Sequence, residues 1–197
     1  MKIKDILKEA PQLIDKHDSV SIQQAEKDCT LSIKNSTCKE VEKLDDKTSL
    51  YLFSRTPISG CYFLATEDKI DYLVNFTRVE QHEKVLPNKV GIRQVLIKRF
   101  PLANGFASGI GAHIFWDILF KKYNCLISDN QQTDNGKQFW EYRIVEAFNK
   151  GLTVRFINTN DNTFVDLKTQ KELIALTPQI WGSSKWFQQI ILVIFKE

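Results

Sequence analysis

The stretch GIRQVLIKRFPLANGFASGIGAHIFWDILFKKYNCLISD, residues Gly91 to Asp129, decides the fold of this chain. It begins with the strand pattern GIRQVLIKR (Gly91–Arg99), which precedes the small-residue loop FPLANGFASGIGA (Phe100–Ala112). The apolar spacing of HIFWDILFKKY (His113–Tyr123) predicts a helix, and CLISD (Cys125–Asp129) predicts a second strand. Free backbone N–H groups converge where a loop enters a helix, and the helix dipole favours negative charge there. The stretch therefore predicts a site for a phosphate-bearing cofactor.

Three strand patterns precede this stretch. They are SLYLFSR (Ser49–Arg55), CYFLAT (Cys61–Thr66) and IDYLVNFTRVEQ (Ile70–Gln81). The turns between them are too short for crossovers, so these strands are predicted to form an antiparallel meander.

A helix and further strands follow it. The helix is predicted over Asp134–Phe148, and strands are predicted at Leu152–Asn158 and Gln188–Phe195, with TFVDL (Thr163–Leu167) pairing back between them. The order of elements predicts an α+β fold with a mixed, mostly antiparallel central sheet. One strand–helix–strand–helix unit lies in the middle of the chain.

The N-terminal region differs in composition, and we divide the chain into residues 1–47, a helix and polar extension, and residues 48–197, the main domain. MKIKDILKEA (Met1–Ala10) has apolar residues at helical spacing and predicts a short amphipathic helix, packed on its own domain rather than docked on a partner. The polar segment Gln12–Lys47 carries strand character in SVSIQQ (Ser19–Gln24) and CTLSIKN (Cys29–Asn35).

The amino-acid composition excludes some classes of function. The chain has 197 residues, 43% hydrophobic and 26% charged, which is typical of a soluble globular protein. A net charge of +3 is too small to argue for nucleic-acid binding, but it suits an acidic ligand. No apolar run is long enough to span a membrane. The cysteines form no C-x-x-C pair, so we expect no metal site and a reducing, cytoplasmic location.

The loop FASGIG (Phe106–Gly111) is similar to the pyrophosphate-binding pattern Q/R-x-x-G-x-G/A of the GNAT superfamily of N-acyltransferases. Gly109 and Gly111 fall where the family has glycine, while Phe106 stands in place of Gln or Arg and leaves the phosphate contact to the backbone. The element order from about Ser49 to Lys196 also resembles this family. A Rossmann dinucleotide site is the weaker alternative, because it needs a third glycine and an early parallel β-α-β unit.

The resemblance implies acetyl-CoA, or another acyl-CoA, as co-substrate. The backbone of Val95 and Ile97 would hydrogen-bond the pantetheine arm, which would lie alongside it as a neighbouring strand does. The phosphates would lie against the loop and helix start, formed by Phe106, Ala107, Ser108, Gly109, Ile110, Gly111 and Ala112.

The next segment, LISDNQQTDNGKQFW (Leu126–Trp140), resembles a variant found in bacteriophage-encoded GNAT-like proteins. This resemblance implies a set of substrate-binding residues, namely Ser128, Gln132, Thr133 and Trp140. Two of them have structural alternatives. Thr133 is equally suited to cap the following helix, and Trp140 suits the core better than a ligand contact.

The predicted chemistry is direct attack of an amine on the thioester. Asp129 or Glu80 would take the proton, although Asp129 is equally suited to cap the loop. The family carries a tyrosine late in the helix as acid toward the CoA thiolate. Phe148 lies near that place, and Tyr142, more than a turn earlier, is the candidate acid. His113 is a further acid–base candidate, though an ordinary surface role is favoured for it.

The acceptor amine stays open, and a protein amine, a small metabolite and a modified nucleobase are the options. The alternative function is a catalytically inactive GNAT-like binding module, for example a phage accessory protein that acts on a host protein or on DNA. Residues 1–47 would then contact the protein partner. Nucleic-acid binding is the weakest reading and would use a basic face of Lys84, Lys89, Arg93, Lys98 and Arg99.

Overall fold

The computed structural model describes residues 19–67, 69–80, 90–100, 107–128, 134–158, 163–180 and 190–197. These residues have α+β structure with a mixed, mostly antiparallel sheet, which confirms the predicted class. The predicted helix Met1–Ala10 lies outside them. None of the helices in these ranges is long and apolar enough to cross a membrane.

Nine strands are described, and several of them match the sequence patterns closely. Their bounds are β1 Lys39–Lys43, β2 Thr48–Thr56, β3 Ser59–Thr66, β4 Lys69–Glu80, β5 Val90–Arg99, β6 Cys125–Ile127, β7 Thr153–Asn158, β8 Thr163–Leu167 and β9 Ile190–Phe195.

The helices include one segment of unusual type. Their bounds are α1 Ser19–Lys34, α2 Ala107–His113, the π-helix π1 Ile114–Phe120, α3 Lys121–Tyr123, α4 Asp134–Asn149 and α5 Gln170–Ile180. The run α2–π1–α3 is continuous in the chain, and we call it the central helix.

The chain divides into two compact units. The N-terminal unit contains His17–Val79 and Gln94–Lys122, and the C-terminal unit contains Glu80–Arg93 and Tyr123–Glu197. Strand β5 contributes residues to both. The sequence-based boundary between residues 47 and 48 falls inside the N-terminal unit.

The N-terminal unit contains the predicted meander. Strands β1, β2, β3 and β4 lie side by side, each antiparallel to the next, and β5 follows β4 in the sheet order. Stacked rings reinforce the ladder, because Tyr51 and Phe63 lie opposite each other with centroids 5.3 Å apart. The meander prediction is confirmed.

Helix α1 corrects the strand character assigned to Ser19–Gln24 and Cys29–Asn35. The structure places both segments in or at the end of one α-helix. Ile22, Ala25 and Cys29 are buried and lie three or four residues apart, which is the spacing of one helical face. Ala25 and Cys29 belong to the core cluster that also contains Cys61 and Phe63. Packing of this stripe outweighs the strand preference of the local Val, Ile and Thr residues.

The C-terminal unit surrounds strand β9. β6 is antiparallel to β9, β9 is antiparallel to β7, and β7 is antiparallel to β8. β9 therefore lies between β6 and β7, although it follows both in sequence. Its residues Ile191 to Phe195 are buried, and fully buried Trp140 and Phe156 contribute to the core of this unit.

The central helix begins at Ala107, so the prediction that it begins at His113 is wrong. The buried stripe extends a full turn further back, because Ile110 and Ile114 lie four residues apart and are both buried. The G-x-G residues consequently belong to the first turns of a helix rather than to a loop.

Candidate functional site

The candidate cofactor segment begins where β5 runs alongside β6. The two strands are parallel, and the paired positions are Ile92 with Leu126 and Arg93 with Ile127. They approach closely at Gly91, where an added Cβ would lie 2.6 Å from Cδ1 of Ile127. An added side chain at this position would therefore force the Ile127 side chain to shift. Strand β5 continues from Gln94 to Arg99 beyond the paired positions.

The end of β5 is fixed by its neighbour in the meander. The N–H of Phe100 donates to the carbonyl oxygen of Asp71 over 3.0 Å. The Asp71 side chain is buried, and its Oδ2 accepts a hydrogen bond of 2.5 Å from Oγ1 of Thr66. The residue from which the chain enters the predicted phosphate loop is thus tied to β4.

Gly109 has the most distinctive backbone in the candidate site. It is the third residue of α2, it is exposed, and its φ is +83°. A Cβ at this position would meet no atom within 4 Å. The conformation needs glycine, and the surrounding space is open. The first turn of a helix also carries N–H groups without intrahelical partners, which makes this turn suited to an anion.

The neighbours of Gly109 differ from it in burial. Ile110 and Gly111 are buried and Ala112 is half-buried. The two glycines of the sequence motif therefore have different roles, since Gly109 faces open space and Gly111 lies inside. Any contact of Ile110 with a ligand would come from its backbone.

The remaining residues predicted to bind the cofactor lie in β5 and at the start of α2. Val95 and Ile97 lie in β5, and Ile97 is half-buried. Ala107 and Ser108 open α2. Phe106 lies outside the described residues.

His113 ends α2 and is held between two carboxylates. Its Nε2 lies 2.8 Å from Oε2 of Glu42, and its Nδ1 lies 2.9 Å from Oδ2 of Asp117. Partial burial lowers the pKa of the imidazole, but the hydrogen bonds and the charges of Asp117 and Glu42 together outweigh burial and leave the pKa raised. The i, i+4 spacing from His113 to Asp117 was readable in the sequence. Glu42 was not, because it lies 71 residues away.

Ser128 is a member of the sheet ladder. It is buried, its N–H donates to the Leu192 carbonyl over 2.8 Å, and its Oγ accepts from the Leu192 N–H over 2.9 Å. The residue thereby extends the β6–β9 pairing by one position. Its predicted contact with substrate stays a prediction.

Trp140 and Tyr142 do not share a face of α4. The Trp140 side chain is fully buried, whereas Tyr142 is 68% exposed. Two residues correspond to a rotation of about 200° around a helix, so the two side chains point to opposite sides. The structure therefore does not bring the candidate acid and the candidate substrate-binding indole together.

Other candidates stay predictions. Asp129, Gln132 and Thr133 lie outside the described residues. Glu80 ends β4, and the description covers its backbone alone.

Across the ranges that the structure covers, no group of three or more His, Cys, Asp and Glu side chains is arranged to hold a metal ion. No protein-family model matches the chain. No curated protein matches it closely enough to count as a relative. Fold and site therefore rest on geometry and on the sequence itself.

Proposed function

We propose that this chain is an N-acyltransferase of the GNAT type that moves an acyl group, with acetyl as the first choice, from acyl-CoA to an amine. The observation that carries the proposal is Gly109, a left-handed and exposed residue in the first turn of the central helix. The element order supports it as well, because a meander leads into β5, the central helix and the parallel strand β6.

The cofactor would be held mainly by backbone. N–H groups of the first turn of α2 would bind the pyrophosphate, and the positive end of the helix dipole would favour its charge. The backbone of Val95 and Ile97 would pair with the pantetheine arm. Phe106 supplies no hydrogen-bond donor from its side chain, so the backbone contacts bear the whole phosphate interaction.

The reaction would be a direct transfer. The amine nitrogen attacks the thioester carbonyl carbon, a tetrahedral oxyanion forms, and the carbon–sulfur bond breaks as the CoA thiolate leaves. Asp129 or Glu80 would accept the proton of the amine, and Tyr142 would donate a proton to the thiolate. Backbone N–H groups would stabilise the oxyanion.

The acceptor would contact Ser128, Gln132 and Thr133, whereas fully buried Trp140 would support the site from the core. Protein amines, small metabolites and modified nucleobases all fit this chemistry. A cytoplasmic location belongs to the same proposal, as does a protein contact through residues 1–47.

The first test is thermal melting with and without acetyl-CoA. Ligand at about 100 times its dissociation constant adds about 2.7 kcal/mol of stability, which raises the melting temperature by several degrees. The variant Gly109→Ala should lose this increase. Gly151→Ala is the matched control, because Gly151 also has a positive φ and open space around it but lies at the end of α4. An increase that survives Gly109→Ala would place the ligand elsewhere.

Turnover is tested separately by release of the CoA thiol in the presence of mixed amines. Asp129→Asn and Glu80→Gln should lower turnover while leaving the melting increase unchanged, because neither is proposed to bind CoA. A melting increase without thiol release for any amine would favour the inactive binding module. Absence of any effect of acetyl-CoA would overturn the cofactor assignment.

A further inference from the structure

A cluster of one imidazole and two carboxylates joins three elements of the N-terminal unit. His113 ends α2, Asp117 lies in π1, and Glu42 lies in β1. Exposed fractions of the side chains are 34% for His113, 45% for Glu42 and 68% for Asp117. Water and protons therefore reach the cluster directly.

Strand β1 lies at one end of the described sheet order. Every residue in it is exposed. Its ladder with β2 is irregular between Glu40 and Glu42. The carboxylate that reaches His113 thus comes from the residue next to the irregularity.

We propose that His113 is a pH-sensitive latch that fastens edge strand β1 to the central helix through Glu42. The inference does not depend on acyl-CoA and holds whether or not the chain is an enzyme.

The geometry dictates the protonation state in which the latch is closed. Both ring nitrogens face carboxylate oxygens, at 2.8 Å and 2.9 Å. A neutral imidazole has one N–H donor and one lone pair, so one of its nitrogens would face a carboxylate without a proton between them. The imidazolium donates from both nitrogens and satisfies both carboxylates.

The direction of the pH dependence follows. Among the described residues, the charged groups that face the imidazole are Glu42 from β1 and Asp117 from the imidazole's own helix. Burial opposes the charge, but the hydrogen bonds and the electrostatic attraction of the two carboxylates together outweigh it, and the pKa of His113 lies above its ordinary value of 6.5. A raised pKa means that the latch stabilises fully below pH 6.5 and releases as the pH rises through the folded-state pKa.

Hydrogen exchange of the full chain, without ligand, tests the latch. We expect the protection factors of the β1 amides, corrected for intrinsic exchange, to fall about two- to fivefold between pH 6 and pH 8.5, the range of exposed ion pairs. Glu42→Gln keeps the size of the side chain and removes its charge. This variant should show low β1 protection that does not change over the same pH range.

Lys43→Gln is the matched control, because it removes a charge of the same strand, together with its exposed pair with Asp46, and leaves the His113 cluster intact. Its β1 protection should keep the pH dependence of the natural chain. The His113 imidazole, followed by NMR, should titrate at lower pH in Glu42→Gln. Unchanged β1 protection across the pH range in the natural chain, or an unchanged His113 titration in Glu42→Gln, would overturn the proposal.

Discussion

Gly109 and Gly151 have similar backbone angles for different reasons. Their φ values are +83° and +67°, and an added Cβ would meet nothing within 4 Å at either position. Gly151 follows α4, where its N–H donates to the Phe148 carbonyl over 3.0 Å and the Leu152 N–H donates to the Ala147 carbonyl over 2.9 Å. These two bonds form a Schellman motif, which accounts fully for a left-handed residue after a helix.

Gly109 lies at the opposite end of a helix, where no C-terminal motif is required. A left-handed residue in a first turn redirects backbone that would otherwise continue as regular helix. Similar φ values therefore need separate explanations. Gly151 is explained by the helix that it terminates, whereas Gly109 lies in a first turn and, under the proposed function, would face the cofactor.

Replacement of each glycine by alanine should change the free energy of unfolding by different amounts, and this is the largest expected effect. Gly151→Ala should lower the free energy of unfolding by about 1–2 kcal/mol, because alanine is held in the left-handed region by the Schellman bonds. Gly109→Ala should cost less, since the open first turn can relax to right-handed helix, where alanine is preferred by about 1 kcal/mol. Urea unfolding measures both. Equal losses in the two variants would mean that the Gly109 conformation is also structural.

The end of α1 offers a third case, in which the left-handed residue is serine rather than glycine. Ser36 has φ of +52°, with the Ser36 N–H bonded to the Ile33 carbonyl at 3.0 Å and the Thr37 N–H to the Ser32 carbonyl at 2.9 Å. Ser36→Gly should therefore raise the free energy of unfolding by about 1 kcal/mol. Ser36→Ala is the control and should give no gain. A gain from alanine equal to that from glycine would contradict the motif.

The start of α5 is capped by side chains of its own segment. Thr169 Oγ1 accepts from the Glu172 N–H over 3.3 Å, and Glu172 Oε2 accepts from the Lys168 N–H over 2.9 Å. Removal of the cap in Thr169→Ala should cost about 0.5–1 kcal/mol in urea unfolding. Thr169→Ser keeps the oxygen and should lose little. If serine and alanine cost the same, the hydroxyl does not cap the helix.

The smallest effect concerns pH at that same helix start. The backbone N–H of Lys168, together with the groups of Thr169, lowers the pKa of Glu172 below its ordinary value of 4.5. The contribution is present above pH 4.5 and is lost as the pH falls through the lowered pKa. Unfolding measured from pH 6 to pH 3 should therefore be less pH-dependent in Glu172→Gln than in the natural chain. Identical pH profiles would exclude a folded-state role for the carboxylate.

The sequence predicted the parts of the fold that local pattern determines. Strand patterns with short turns indicated the meander, and the pattern Gln188–Phe195 indicated the last strand. Helix α1 was missed, because its face is completed by Cys61 and Phe63 from another part of the chain. The predicted start of the central helix was too far along the chain. Its first turn contains small residues and two glycines, a composition typical of a loop, and only the burial of Ile110 shows that it belongs to the helix.

The candidate site was predictable to the level of residue type. The G-x-G pattern located Gly109, but spacing alone did not indicate that Gly111 is buried. Opposite exposure of Trp140 and Tyr142 was implicit in their two-residue separation on a helix. The contact of His113 with Glu42 was beyond sequence reasoning, because it joins an edge strand to a helix far along the chain.

The placement of β9 between β6 and β7 has a consequence for biosynthesis. Both flanking strands leave the ribosome before β9 does, so each presents an unpaired edge until Ile190–Phe195 is available. The C-terminal unit therefore cannot close its sheet progressively as it is synthesised. During that interval the nascent chain carries two strand edges that match the same missing partner, and unpaired edges of this kind are open to wrong pairing.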